Sequence, residues 1–387
     1  MGADLSRTLA CLVSPSSLEP GPPDSPQVVT GVLDPALHIS RGAVAGRFQG
    51  NPVYSHYGDI RSEYNRSRES LGLSDACWWS PIRLTGADRV AWLQGLTTQD
   101  VVGMRVGASR EAVMLDPRGR TRFQFWIHVT EESVDLVTFL ASRDDFVEAL
   151  DSYLFAEDVE IDEPPVGCGF LAVRGPATGL FLDTMGLGVA PEPGTHRNLP
   201  DHGTIKRLIT RSDTPEGGVD LMVAAGSPGL EEIVATVEGL GGGLFGLEAY
   251  QILRIETGVP WFGIDIDASV IPVEAGLTEF AITYDKGCYV GQETIARLRS
   301  RGQVNVSLTG LALEVDELPP PGTQILEGEK TVGRITSSIY SPSTGGAFGL
   351  GYVHRKAADP KILLDLANGR GHARLVTPPH MSRAVMR

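Results

Sequence analysis

Beyond Arg301 the chain gives up helical spacing altogether. Ser307 to Leu313, Thr331 to Ile339, Ala347 to Val353 and His372 to Val376 are short β-type runs broken by Pro and Gly. Runs this short bury their apolar faces only by pairing with one another, which predicts a small closed or nearly closed β module from about residue 301 to 387. Upstream the pattern is mixed. Ile60 to Leu71 has helical spacing, and Ile82 and Leu84 alternate as a strand. Thr85 and Asp88 then open a helix in the manner of a capping box, with Val90, Leu93 and Leu96 on one face. Ala112 to Leu115 and the run beginning at Arg122 read as a hairpin around Asp116-Pro117-Arg118-Gly119. Its second strand sets Phe123, Phe125, Ile127 and Val129 on one face and Arg122, Gln124, Trp126 and His128 on the other. Val134 to Leu140 is a further strand, and Arg143 to Leu154 a helix. The rhythm returns with strands at Gly169 to Val173 and Val219 to Ala224, and helices at Leu230 to Val237 and Leu247 to Thr257. The fold class is α+β, with an α+β body over about 41–300 and a C-terminal β-barrel-like module.

With 387 residues the chain exceeds one ordinary core and suits two or three packed domains. Residues 1–40 read as a Pro/Ser-rich extension, a tail rather than a wrapping arm, without the marks of a signal or transit peptide. No apolar run reaches the roughly 20 residues of a membrane span. The net charge of −15 disfavours direct contact with nucleic acid. Cys11, Cys77, Cys168 and Cys288 stand far apart, which argues against a structural metal site or a disulfide framework and fits a cytoplasmic protein. Gly241 to Gly246 fits GxGxxG but follows a helix, so it lacks the strand context of a dinucleotide site.

The densest chemistry lies in Lys286-Gly287-Cys288-Tyr289-Val290-Gly291-Gln292-Glu293. A helix opening at Gln292 places Cys288 just ahead of an N-terminus. The dipole and the neighbouring Lys286 ammonium would both favour a thiolate, and Glu293 would suit the first turn. The plainer alternative is a surface lysine, a packed thiol and two turn glycines.

This segment resembles the K-G-C-[FY]-x-G-Q-E signature of the YgfZ family. Arg254 to Pro260, Asp265, Pro272, Glu274 and Gly276-Leu277, with Leu84 to Val101 and Val332 to Gly351, are similar to segments of the wider glycine-cleavage T-protein superfamily. The resemblance spans about Gly50 to Pro378. It implies a three-subdomain ring around a central cavity for tetrahydrofolate or a one-carbon derivative. It further implies a cytoplasmic accessory protein for assembly or repair of iron–sulfur enzymes, tRNA-modifying ones included, with iron–sulfur client or assembly proteins as partners. Cys288, with Lys286 beside it, would be the reactive pair.

The other branch is the aminomethyltransferase of the glycine cleavage system. Such enzymes carry paired Asp residues on the second hairpin strand, where Phe123 and Gln124 stand here, and neither can exchange a proton as a carboxylate does. That departure predicts no glycine-cleavage activity. Among folate contacts implied by the resemblance, Asp220 would face the pterin's N–H donors or be a plain strand acid. Arg254 and Glu256 lie two residues apart on one helix and face different ways, so at most one would line the cavity and the other would cap or brace the ring. Arg297, Arg299 and Arg301 would hold an acidic tail or form a solvated helix end.

Overall fold

The structure, a computed structural model, describes residues 29, 31–162, 167–301 and 304–378. Besides the two-stranded hairpin Val44–Phe48 and Asn51–His56, which packs on the same helix, three larger β assemblies surround one buried helix among the described residues. The five-stranded sheet runs Ser109–Leu115, Thr121–Val129, Val134–Phe139, Trp79–Thr85, Glu160–Asp162. The six-stranded sheet runs His196–Asn198, Ile205–Arg211, Gly218–Ala224, Cys168–Arg174, Gly72–Asp75, Gly243–Leu244. The early strand Gly72–Asp75 pairs antiparallel with Cys168–Arg174, so the first segment of the body is built into the second sheet. The third assembly is a closed six-stranded barrel between Val306 and Val376. Two of its strands, Gln324–Glu327 and Leu364–Leu366, are too short to show a period in sequence.

All eleven residues of the helix Leu247–Thr257 are buried, because strand, helix and barrel cover it on every side. It stops at Gly258, whose φ of 87° is the left-handed conformation that ends a helix without a Cβ penalty. A helix buried all round must satisfy its polar side chains internally, and this one does so through Arg254 and Glu256 (below).

Two expectations are corrected by the structure. Thr85 and Asp88 make no capping box: the helix Arg89–Gln94 begins at Asp88 without a side-chain cap. The Asp88 carboxylate instead accepts from the Asp158 amide at 2.9 Å, because the strand Glu160–Asp162 pairs with Arg83–Thr85 and draws this corner outward. The second face of Thr121–Val129, which alternation alone left unassigned, is largely buried; Gln124 and His128 are almost fully enclosed because the other sheet lies over them. The extension does not reach residue 40. Pro35–Ser40 is a helix capped by Asp34, and His38 is buried between Asp75 (3.2 Å) and the Tyr57 hydroxyl (2.6 Å), with Tyr54 stacked on its ring. The segment before residue 29 lies outside the described residues. Among the described residues no helix is long and apolar enough to cross a membrane.

Glu63 gives the fold a pH signature. Its buried carboxylate accepts from the Tyr57 amide at 2.6 Å and the Gly246 amide at 2.9 Å. Burial nevertheless raises its pKa to about 7. The folded state therefore holds a proton that the unfolded state has released, and stability falls as pH rises from about 4.5 to 7, then levels. The loss is on the order of 3 kcal/mol. Urea unfolding at pH 5 and pH 7.5 should show a component of this sign that Glu63→Met removes.

Candidate functional site

The cross-strand pairs Glu111–Trp126 and Val113–Gln124 put these side chains on the hairpin face that looks toward the six-stranded sheet. Opposite them stand Arg211 and Asp220, with Arg174 and Asp213 behind. The two sheets are tied by Arg211, whose guanidinium lies 4.7 Å over the Trp126 ring, and by Arg207 on Asp135 at 2.7 Å. Glu111 and Asp213 are both half-buried, and the seam between the sheets that they flank is the candidate recess. Trp79 meets Trp126 edge to face at 4.7 Å and supplies a second indole.

Gln124 is fixed at both ends of its amide. Nε2 donates to Glu111 Oε1 at 2.6 Å, and Oε1 accepts the Phe262 amide at 2.9 Å. Phe123 points the other way, into the core with Phe125 and Phe146. The hairpin's second strand thus offers no carboxylate, but its partner strand does. Glu111 brings beside Gln124 the carboxylate that Phe123 and Gln124 cannot supply.

The two acids are driven apart. Burial raises Glu111 to about 6, against the Gln124 hydrogen bond and Arg211. Burial also opposes ionisation of Asp213, but Arg174, Arg211 and the Tyr250 hydroxyl outweigh it and hold that carboxyl below its usual range. One group that titrates near neutrality beside one fixed anion is the arrangement that divides acid–base work from charge stabilisation. Arg211 Nη2 and Trp79 Nε1 are buried without hydrogen-bond partners, while Asp213 Oδ1 lies 3.2 Å from Arg174 Nη2. Unpaired donors among indoles fit a planar heterocycle bearing acceptors.

Asp220 does not present a free carboxylate to this recess. One oxygen takes Arg174 Nη2 at 2.8 Å and the other Arg211 Nε at 2.6 Å. It orients the two arginines. Arg254 and Glu256 are likewise both braces, and neither lines the recess. Arg254 bonds Gln251, the Val259 carbonyl and Asp265 at 2.6, 2.9 and 2.6 Å. Glu256 accepts from Tyr64, Arg68 and the barrel residues Ser341 and Ser343 at 2.7, 3.2, 2.5 and 2.7 Å. Facing different ways, the two residues tie the helix to different neighbours.

Lys286 is committed to backbone carbonyls rather than free beside Cys288. Its Nζ donates to the carbonyls of Gln94, Thr97 and Gln99 at 2.7, 2.6 and 2.7 Å, and it lies 4.9 Å over the Tyr289 ring. Burial pulls it down to about 8, so it is still charged at neutral pH. The ammonium clamps the 94–99 turn, whose carbonyls have no helix to pair them, onto the segment that carries Cys288. Cys288 is exposed, Cys77 is buried and Cys168 is half-buried; Cys11 lies outside the described residues. The helix Gln292–Arg301 starts four positions after Cys288, so its dipole falls on Gly291 to Glu293 instead. Gly291 is required sterically: a Cβ there would lie 2.5 Å from the Asp116 carbonyl, where the hairpin turn closes on this helix. Gly287 has open space around it. Gln292 accepts the Tyr289 amide, and Glu293 forms an exposed pair with Arg297 at 3.0 Å. Arg299 pairs with Asp285 at 3.1 Å, so Arg297 and Arg299 form a solvated helix face.

Lys286→Met is expected to lower stability by roughly 2–3 kcal/mol, since three carbonyls lose a charged donor. The Cys288 alkylation rate at fixed pH should stay unchanged. Faster unfolding in urea with identical thiol labelling is the result that checks both.

Sequence reasoning missed Glu111, Arg174, Arg211, Asp213 and Tyr250. The usable signal was the acid opposite Trp126: the strand begins at Ser109, and reading it from Ala112 left Glu111 outside.

The GCVT N-terminal domain family model matches residues 36–286, and the glycine cleavage T-protein C-terminal barrel domain matches 307–381. A putative chloroplastic transferase of Arabidopsis thaliana is 28% identical over 73% of this chain, which spans 65% of that relative's length. An aminomethyltransferase of Streptomyces avermitilis is 28% identical over 84% of the chain and 89% of its own length. The fold matches the glycine cleavage system aminomethyltransferase T of Bartonella henselae with a TM-score of 0.81, at 21% identity over 89% of this chain and 96% of that one.

Proposed function

This chain belongs to the glycine cleavage T-protein superfamily, and on that premise we propose that it binds a reduced folate in the inter-sheet recess and handles a one-carbon unit in the manner of an aminomethyltransferase. The observation that carries the reading is the Glu111–Gln124–Trp126 face set against Arg211 and Asp213. Bound there, tetrahydrofolate would supply the nitrogens that accept the one-carbon unit. The protein's part follows from its own groups. Trp79 and Trp126 offer flat apolar surfaces to a ring system. Arg211 Nη2 is a donor awaiting a partner, and Arg174 holds Asp213 ionised beside it. Glu111, which titrates at about 6, takes a proton from an amine that is losing one while Asp213 stays charged to steady developing positive charge. Gln124 holds Glu111 in place, so amide and carboxylate together stand in for the two acids expected on one strand.

The relatives named aminomethyltransferase support this reading over a purely accessory one. The second reading, a folate-linked helper of iron–sulfur enzymes with client proteins as partners, is favoured by the exposed thiol of Cys288 in a rigidly clamped segment. Titration with tetrahydrofolate should raise the melting temperature, since a ligand that binds only the native state stabilises it. No shift at saturating ligand in folded protein would end both readings. Methylenetetrahydrofolate formation from an aminomethylated lipoyl carrier supports the first. Its absence, with folate bound and with iron–sulfur enzyme activity lost in Cys288→Ala cells, moves the assignment to the second.

A further inference from the structure

The seam between the two sheets opens again near Asp135, into a half-enclosed recess of about 690 Å³. Its inner wall carries Arg83, Lys206 and Arg207 beside Cys168, Asn198 and Met222. Asp135, buried behind them, is shared: Arg83 reaches it at 2.9 and 3.1 Å and Arg207 at 2.7 Å. Arg207 is only 4% exposed. Its Nε donates to Asn198 Oδ1 at 2.7 Å and its Nη2 to Asp135, while Nη1 has no partner. Lys206 Nζ donates to the His202 carbonyl at 3.0 Å.

The wall therefore holds three cations against one buried carboxylate. Glu131 and Glu132 also border the recess, but both are exposed on the turn at its mouth, where water and salt screen them. A guanidinium N–H buried without an acceptor costs free energy that a charged oxygen would recover. Thr130 and Ser133 are already bonded to each other, and the Ser133 hydroxyl donates to Asp135, so they do not supply that oxygen.

We propose that this recess binds the carboxylate or phosphate group of a small metabolite, with Arg207 and Lys206 as its anchors and Met222 and the Cys168 side chain as apolar wall. The site is separate from the Glu111 recess and does not depend on folate binding there. Cys168 serves as a reporter, because a ligand seated on Arg207 covers the half-buried thiol.

The experiment measures N-ethylmaleimide labelling of Cys168 in the full chain by peptide mapping, with inorganic phosphate or succinate added at constant ionic strength. At about ten times the dissociation constant a competing anion should slow labelling roughly tenfold. Protection by phosphate alone or by succinate alone assigns the ligand class within the proposal. Lys206→Met and Arg207→Met should abolish protection, read in each variant as the ratio of labelling rates with and without anion, because both cations also lower the Cys168 thiol pKa and their loss slows labelling by itself. Should Arg207→Met fail to fold, Lys206→Met decides. No protection by either anion at tens of millimolar, or full protection that survives Lys206→Met, overturns the assignment.

Discussion

Glu111→Gln should reduce one-carbon transfer by about 10²–10⁴-fold, the usual contribution of a positioned general base. The substitution removes the carboxyl that titrates near neutrality in this recess and keeps the volume. A glutamine at position 111 would still accept from Gln124 Nε2 through its own carbonyl, so the 2.6 Å contact can persist and the hairpin should fold normally. In the unmodified protein the rate should rise with pH through about 6, as Glu111 loses its proton. The variant should lose that rise, and folate affinity should change far less than turnover. Steady-state kinetics across pH 5 to 8 make the measurement. Unchanged turnover would place the proton exchange elsewhere.

Arg254→Ala is expected to cost about 3–5 kcal/mol, the range for removing one partner of a buried ion pair. Asp265 would remain buried with only Thr336, Ser337 and the Trp261 amide to satisfy it. The helix would also lose its tie to the barrel through Ser337, and Trp261 the guanidinium 5.1 Å above its ring. Arg254→Lys should recover little. The guanidinium uses Nε, Nη1 and Nη2 toward four different partners, and one ammonium cannot span them. Urea unfolding checks the cost. Loss of folate affinity without loss of stability would instead restore Arg254 to the ligand site.

The sequence was most readable where regular spacing is closed off by turn residues. The helix Leu247–Thr257 has the bounds its spacing and the glycine after it imply, and four barrel strands lie where β-type runs were separated by Pro and Gly. It was silent or misleading where a second layer intervenes. Alternation sets Gln124 and His128 on one face of a strand but cannot say what covers it, and the sheet that does has its covering strands, Ile205–Arg211 and Gly218–Ala224, far along the chain. The capping box failed for a related reason: Asp88 found a long-range partner in the Asp158 amide.

The candidate site divides in the same way. Lys286-Gly287-Cys288-Tyr289-Val290-Gly291-Gln292-Glu293 is contiguous, so its identity and its family likeness could be seen in one dimension. What each member does could not. Adjacency in sequence suggested that Lys286 activates Cys288, but a flexible four-carbon side chain goes to the best acceptors within reach, and those are three carbonyls from residues 94–99. Asp220 was placed as a ligand contact on its strand position; two arginines, one 46 residues away, had already taken both oxygens.

By itself, then, the sequence determined the α+β body, the closing barrel and the superfamily, because local periodicity, turn residues and contiguous motifs are written along one chain. Only the tertiary structure decided which acids face the recess. Glu111, Asp213, Arg174 and Arg211 come together from separate strands and loops, and their charge states depend on burial and on one another rather than on any sequence neighbour.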